Sequence, residues 1–87
     1  MSKTTIIYIE PKIYDEAMQI TDHLRQGNPV VINLKHLDPP DDERLINFVS
    51  GAAFGIDGHM LQVGENIYLF TPSNIIISDE EDTTSLR

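Results

Sequence analysis

The sequence contains no cysteine among its 87 residues. A chain without thiols has no disulfide framework, no cysteine-ligated zinc or iron–sulfur site and no thiol nucleophile. A domain of this size also has little interior, so its stability must come from its core and from any partner subunit that adds to it. Hydrophobic and charged residues are present in ordinary proportions, 40% and 23%, which predicts a folded domain.

Basic residues are few. Six Lys and Arg oppose fourteen Asp and Glu, which gives a net charge of −8. Such a chain is repelled by phosphate backbones and by anionic lipid, so we expect neither a nucleic-acid partner nor direct electrostatic binding to a membrane. No apolar run approaches the roughly 20 residues of a transmembrane helix, and the first five residues lack the apolar stretch of a signal peptide. The sequence therefore predicts a cytoplasmic protein.

The hydrophobic pattern predicts seven elements in the order β-α-β-α-β-β-β. Helices are predicted from apolar residues at helical spacing, and strands from β-branched and apolar runs. The helices fall at 13–26 and 41–54, and the strands at 4–9, 30–34, 59–63, 66–71 and 75–77. Gly27 suits the end of the first helix, and Gly64-Glu65 suits a hairpin turn. We expect an α/β (α+β) two-layer sandwich, with two helices packed on a mixed five-stranded sheet.

This domain is expected to span residues 6–78. Residues 1–5 are expected to form a short N-terminal extension, and residues 79–87 a disordered acidic tail.

The predicted sheet is apolar on both faces. In strand 66–71, Tyr68 and Phe70 lie on one face and Leu69 on the other, and in strand 4–9, Tyr8 lies opposite Ile7. Two short helices can cover only one face, so the other face predicts self-association through the sheet as a homodimer. The alternative is that one helix covers each face. Tyr68 and Phe70 themselves fit either a dimer core or the floor of a peptide-binding groove.

Small residues cluster in the second predicted helix. Gly51 lies in mid-helix, where glycine costs about 1 kcal/mol relative to alanine. With Ala52 and Ala53 it forms a small-residue patch, and Gly55 directly follows the helix. Such a patch allows another backbone to approach closely. The approach can be intramolecular, onto this chain's own sheet or first helix, or it can be a helix-to-helix contact between subunits.

Catalytic and metal-binding patterns are missing. His23, His36 and His59 are not at metal-ligand spacing, and the acidic residues between Asp38 and Glu43 lack the alternating ligands of a calcium loop. Favourable charge at a helix N-terminus explains those acidic residues more simply. There is neither a nucleophile elbow nor a phosphate-binding glycine loop. We therefore expect no enzymatic activity, no metal and no cofactor, and a hydrolase built on the acidic cluster is a remote hypothesis.

Four segments in order resemble a known family. They are IYDEA at 13–17, NPVVINL at 28–34, FVSG at 48–51 and GENIYLFTP at 64–72. Each is weakly specific alone, but together they resemble the C-terminal domain of SepF, a cell-division protein that works with FtsZ. The resemblance runs from about residue 6 to residue 77.

The resemblance implies a non-enzymatic adaptor that forms dimers and polymers. It implies binding of the C-terminal peptide of FtsZ, alignment or bundling of FtsZ filaments, and their linkage to the inner face of the membrane at the division site. The family's peptide-binding aromatic corresponds to Tyr68, the start of the second helix contributes near Asp42 and Glu43, and a glycine used in higher assembly corresponds to Gly51.

Together with the patterns above, this assigns two sets of candidate residues. The peptide-binding set is Tyr68, Phe70, Asp42 and Glu43, and the self-association set is Gly51, Ala52, Gly55 and Tyr8. The amphipathic membrane helix and linker usual in the family have no counterpart before Thr4, so membrane contact is expected only through a tether missing here. The alternative function is a small-ligand-binding regulatory α/β dimer module, which a thermal shift with a metabolite rather than a peptide would indicate.

Overall fold

The computed structural model describes residues 3–78, so the tail predicted at 79–87 lies outside the described residues. This part of the chain folds into one mixed sheet covered by two α-helices. The elements are β1 (Ile7–Ile9), α1 (Ala17–Arg25, preceded by a 3₁₀ turn at Tyr14–Glu16), β2 (Val30–Asn33), α2 (Asp41–Gly55), β3 (His59–Gly64) and β4 (Ile67–Thr71). The predicted two-layer α/β sandwich is confirmed.

The sheet has the strand order β1-β2-β4-β3. β1 pairs with β2 in parallel, and the β2–β4 and β4–β3 pairs are antiparallel. β1 begins later than predicted, at Ile7, whose N–H donates to the carbonyl of Pro29 at 2.9 Å. Because Pro29 has no N–H of its own, the ladder with β2 cannot continue toward Thr4.

The strand predicted at residues 75–77 does not form, so the sheet has four strands within residues 3–78 rather than five. The chain after β4 folds back as a turn. The N–H of Ile75 donates to the carbonyl of Pro72 at 3.1 Å, and the hydroxyl of Thr71 donates to the carbonyl of Ile75 at 2.9 Å. Because these hydrogen bonds close the turn, the same groups do not pair with β3.

Both helices pack on the same face of the sheet. Their apolar stripes meet the central strands through Val30 and Ile32 of β2 and Phe70 of β4, which are all fully buried. The core also contains Ala17, Ile20, Leu24, Leu34, Leu37, Leu45, Val49 and Ala53. The alternative with one helix on each face is therefore wrong.

Within residues 3–78, no helix lies over the opposite face of the sheet. A row of apolar side chains crosses this open face: Tyr8 pairs with Val31, Val31 with Leu69 and Leu69 with Leu61. Tyr8 is 56% exposed and the other members are half-buried. The apolar character predicted for both faces of the sheet is thus present, and one face meets solvent.

The end of α1 follows the predicted glycine cap. Gly27 has φ 96°, its N–H donates to the carbonyl of Leu24 at 3.0 Å, and the next N–H, of Asn28, donates to the carbonyl of His23 at 3.0 Å. Glycine is favoured at this left-handed position because it has no Cβ.

Within residues 3–78, neither helix has the length and apolar character required to cross a bilayer.

Candidate functional site

A pocket of about 460 Å³ opens where the first turns of α2 face the start of β4. Its lining combines apolar, amide and acidic side chains: Leu34, Asp42, Glu43, Ile46, Asn47, Asn66 and Tyr68. The volume falls in the range of ordinary ligand and peptide-anchor pockets, about 300–1,000 Å³. Polar groups make up most of the accessible lining, and Leu34, Ile46 and Tyr68 form the smaller apolar floor.

Two parts of the fold hold the apolar floor in place. Tyr68 lies in the middle of the sheet, opposite Ile32 of β2 and Gln62 of β3, and is half-buried. Leu34 follows β2 directly, and its N–H donates to the carbonyl of Asn66 at 2.9 Å. The end of β2 and the β3–β4 turn are therefore tied together beneath the pocket.

Helix α2 supplies the other wall. Asp42 and Ile46 are four residues apart, as are Glu43 and Asn47, so all four share one side of the helix. The acidic residues belong to its first turn, where the helix dipole favours negative charge. The carboxylate of Asp42 also accepts a hydrogen bond from the N–H of Glu43 at 2.7 Å.

The pocket carries negative charge that no ion pair within residues 3–78 offsets. The nearby cation of α2, Arg44, instead pairs with Asp41 at 3.2 Å. Its guanidinium lies 4.4 Å from the centre of the Tyr14 ring. Asp42 and Glu43 thus remain available to hydrogen-bond donors or cations of a bound molecule.

The structure brings together three of the four residues predicted to bind a peptide: Tyr68, Asp42 and Glu43 line the same pocket. The fourth, Phe70, requires a correction. Its side chain is 0% exposed and belongs to the core beneath the helices. It faces the same side of β4 as Tyr68, but it is not among the residues that line the pocket.

The residues predicted for self-association lie on two separate surfaces. Tyr8 lies on the open sheet face, while Gly51, Ala52 and Gly55 lie on α2. Gly51 and Gly55 are exposed, and a Cβ added to either would meet no atom within 4 Å. Packing within the described part of this chain therefore does not require glycine at these positions.

Asn47 and Asn66 line the pocket but were missed from the sequence. Asn66 has φ 61° and occupies the β3–β4 turn with Glu65, one residue later than the predicted Gly64-Glu65 turn. Asparagine tolerates this left-handed conformation better than most residues. That preference was a usable signal for the turn, but nothing local indicates that the turn meets α2.

A second polar cluster lies beside the open sheet face. The hydroxyl of Tyr8 donates to Glu10 Oε2 at 2.7 Å and accepts from Asn33 Nδ2 at 3.1 Å. Glu10 also contacts His36 Nε2 at 3.0 Å and Lys35 Nζ at 3.5 Å. The hydrogen bonds from Tyr8 and then from His36 lower the pKa of Glu10 from 4.5 to about 2. The cluster thus holds the Tyr8 ring at the border of the face.

No three His, Asp or Glu side chains come together as a metal site anywhere in residues 3–78. The acidic residues around the start of α2 are accounted for by the helix terminus, the Asp41–Arg44 pair and the pocket rim.

Comparison with known proteins connects this fold to a family. The family model described as "Cell division protein SepF" matches residues 6–77. A curated SepF from Gloeobacter violaceus is 47% identical over 75 residues, which are 86% of this chain and 39% of that protein. The chain therefore spans well under half the length of this relative.

Solved structures share the architecture. A SepF-like protein from Pyrococcus furiosus superposes with a TM-score of 0.79 at 20% identity, covering 90% of this chain and 98% of that one. SepF from Methanobrevibacter smithii, solved in complex with the FtsZ C-terminal domain (FtsZ-CTD), gives a TM-score of 0.67 at 18% identity, covering 85% of this chain and 96% of that one. At these identities the likeness establishes the fold.

Proposed function

The chain belongs to the SepF family of cell-division proteins, and we propose that it is a non-enzymatic adaptor that binds the C-terminal peptide of FtsZ in the pocket beside Tyr68. The single observation that carries the proposal is the meeting of Tyr68, Asp42 and Glu43 in one pocket. The fold is shared with an archaeal SepF solved with FtsZ-CTD, which supports the choice of partner.

The pocket has the chemistry that a short peptide needs. Burial of an apolar side chain against Leu34, Ile46 and Tyr68 contributes to the affinity. Carboxylates at the rim accept hydrogen bonds from the peptide, and they favour a basic side chain over an acidic one. Affinity at one site is modest, and repetition along an FtsZ filament raises the effective affinity without new contacts.

Self-association completes the adaptor. The open sheet face, formed by Tyr8, Val31, Leu61 and Leu69, buries its apolar row against a second copy. Gly51, Ala52 and Gly55 allow a second, helix-to-helix contact that extends dimers into a polymer. An assembly of this kind presents several peptide pockets at once and can align or bundle filaments.

The proposed place of action is the cytoplasmic face of the membrane at the division site. The net charge of −8 opposes direct binding to anionic lipid. Linkage of FtsZ to the membrane therefore runs through a tether outside this domain.

The proposal is tested with two tyrosine variants and a fluorescent FtsZ C-terminal peptide. Tyr68→Ala removes the floor of the pocket and is expected to weaken binding roughly tenfold or more. Tyr8→Ala is the matched control, because Tyr8 lies on the open face of the sheet and is not among the residues that line the pocket. Fluorescence anisotropy gives the dissociation constants, and circular dichroism verifies that both variants fold.

Unchanged peptide affinity in a folded Tyr68→Ala protein would contradict the assignment of this pocket. If the unaltered protein binds no FtsZ peptide but shows a thermal shift with a metabolite, the small-ligand module becomes the better account.

A further inference from the structure

The apolar floor of the pocket leaves the orientation of the peptide undetermined. Burial against Leu34, Ile46 and Tyr68 is non-directional, so it holds a side chain without distinguishing the two directions of an extended backbone. Hydrogen bonds supply direction. The uncharged groups in the lining that can both donate and accept them are the two amide side chains, Asn47 and Asn66, and the hydroxyl of Tyr68.

The two asparagines reach the pocket from different elements. Asn47 projects from α2, one turn after Glu43. Asn66 projects from the β3–β4 turn, where its carbonyl is held by the N–H of Leu34 at 2.9 Å. A peptide that enters the pocket therefore meets one amide from the helical layer and one from the sheet layer.

Neither side-chain amide is engaged in a hydrogen bond inside the described part of the chain. By contrast, the side chain of Asn33 donates to the hydroxyl of Tyr8 and accepts from the N–H of Lys35. The amide of Gln62 donates to the carbonyl of Gly64. No corresponding hydrogen bond is formed by the side chains of Asn47 and Asn66 within residues 3–78. Their donors and acceptors are free to meet a ligand without first breaking an internal bond.

We propose that Asn47 and Asn66 bind the main chain of the peptide and set its direction across Tyr68. This inference rests on the proposed function and adds which groups of the protein recognise the peptide main chain. The amides recognise backbone carbonyls and N–H groups of an extended segment, while the apolar floor and the carboxylates select its side chains. Binding then requires particular backbone amides of the peptide as well as particular residues.

The test is a double-mutant cycle between protein side chain and peptide backbone. In a set of FtsZ C-terminal peptides, each backbone amide in turn is replaced by an ester, which removes one donor and weakens one acceptor. Against the unaltered protein, an ester at one or two adjacent positions is expected to lower affinity about fivefold to tenfold. Against Asn47→Ala or Asn66→Gly, the same ester is expected to cause little further loss.

The variants are chosen to keep the fold. Asn66→Gly retains a residue that accepts a positive φ, and Asn47→Ala favours the helix. Asn74→Ala removes an exposed asparagine outside the pocket and serves as the control. Asn66→Asp removes the amide donor while preserving the side-chain shape, so it provides a second measure at the turn.

Three results have distinct meanings. Coupling confined to one ester position per asparagine supports the proposal. Equal losses for every ester against every variant, or asparagine variants that bind all peptides as tightly as the unaltered protein does, overturn the proposal while leaving the FtsZ adaptor function in place. Failure of the unaltered protein to bind the all-amide peptide overturns both.

Discussion

At the scale of single residues, Gly58 is required by a close approach of two backbones. A Cβ at this position would collide with the carbonyl oxygen of Thr71 and lie 3.1 Å from the carbonyl of Ala53. The N–H of Gly58 also donates to Ala53 at 2.7 Å, which ends α2 against the start of β3. We expect Gly58→Ala to destabilise the protein by about 1–3 kcal/mol, because rigid backbone must move to admit the methyl group.

Chemical denaturation measures this cost, with Gly64→Ala as the control. A Cβ at Gly64 would meet only the Ile67 side chain at 3.5 Å, an ordinary contact. A Gly58→Ala protein as stable as the unaltered one would show that the α2–β3 approach is looser than described.

Gly51 is expected to respond in the opposite direction. It lies in the middle of α2 with open space where a Cβ would be. Gly51→Ala is therefore expected to raise the free energy of unfolding by about 1 kcal/mol through helix propensity alone. The measurement is made at a protein concentration low enough to prevent association, and light scattering at high concentration then reports whether polymerisation is lost. A more stable monomer that polymerises normally would contradict a role for Gly51 between subunits.

At the scale of elements, the ends of β1 and β2 are joined by Glu10. Its pKa is lowered to about 2 in the folded protein by hydrogen bonds from Tyr8 and then His36, whereas the ordinary value is 4.5. A depressed carboxylate pKa means that the ionised form stabilises the fold. This contribution is fully present above about pH 4.5 and is lost as pH falls toward 2.

We expect Glu10→Gln to remove this part of the pH dependence. Thermal melts between pH 2 and pH 6 should show a smaller loss of stability on acidification in the variant than in the unaltered protein. Glu65→Gln is the control, because Glu65 is an exposed carboxylate in the β3–β4 turn with no such cluster around it. Parallel acid profiles for Glu10→Gln and the unaltered protein would show that the cluster does not stabilise the fold.

The prediction of elements from the sequence succeeded where composition and spacing determine the structure, and it failed where the hydrogen bonds of a neighbouring turn determine it. Gly27 ends α1 because glycine at the end of an apolar helical pattern favours the left-handed position, and both signals are in the sequence. The Ile75–Ile77 run has equally good strand composition. It does not pair, and the N–H and carbonyl of its first residue, Ile75, are instead hydrogen-bonded in the turn after β4.

The candidate site was also only partly predictable from the sequence. Alternation along β4 correctly places Tyr68 and Phe70 on one face, but it cannot tell which of them lies beneath the helices. The packing of the helices over the sheet decides this, since Phe70 is fully buried while Tyr68 is half-buried and lines the pocket. Asn47 and Asn66 come together only through the tertiary fold, so no local pattern could have paired them.

At the scale of the whole molecule, the open sheet face predicts a dimer. Leu69 lies in the middle of the exposed apolar row, between Val31 and Leu61. Leu69→Lys places a charge where two copies would meet, and burying an unpaired charge is costly. We expect the unaltered protein to have about twice the mass of a 9.8 kDa chain and the variant to have the mass of a single chain, as measured by light scattering on a sizing column.

Gln26→Lys is the matched control, since it adds the same charge at an exposed position after α1. It is expected to leave the mass unchanged. A Leu69→Lys protein that remains a dimer would move the interface to another surface, and the small residues of α2 would then be the first alternative.

The central claim is that one pocket of this domain receives the FtsZ C-terminal peptide. It is tested most directly by titrating ¹⁵N-labelled protein with that peptide and following the backbone amide resonances. The account predicts saturable shifts concentrated around Leu34, Glu43, Asn47, Asn66 and Tyr68, with little change at Val31 and Leu61 on the open sheet face. Saturable shifts centred on the open face, or a spectrum unchanged at millimolar peptide, would contradict it.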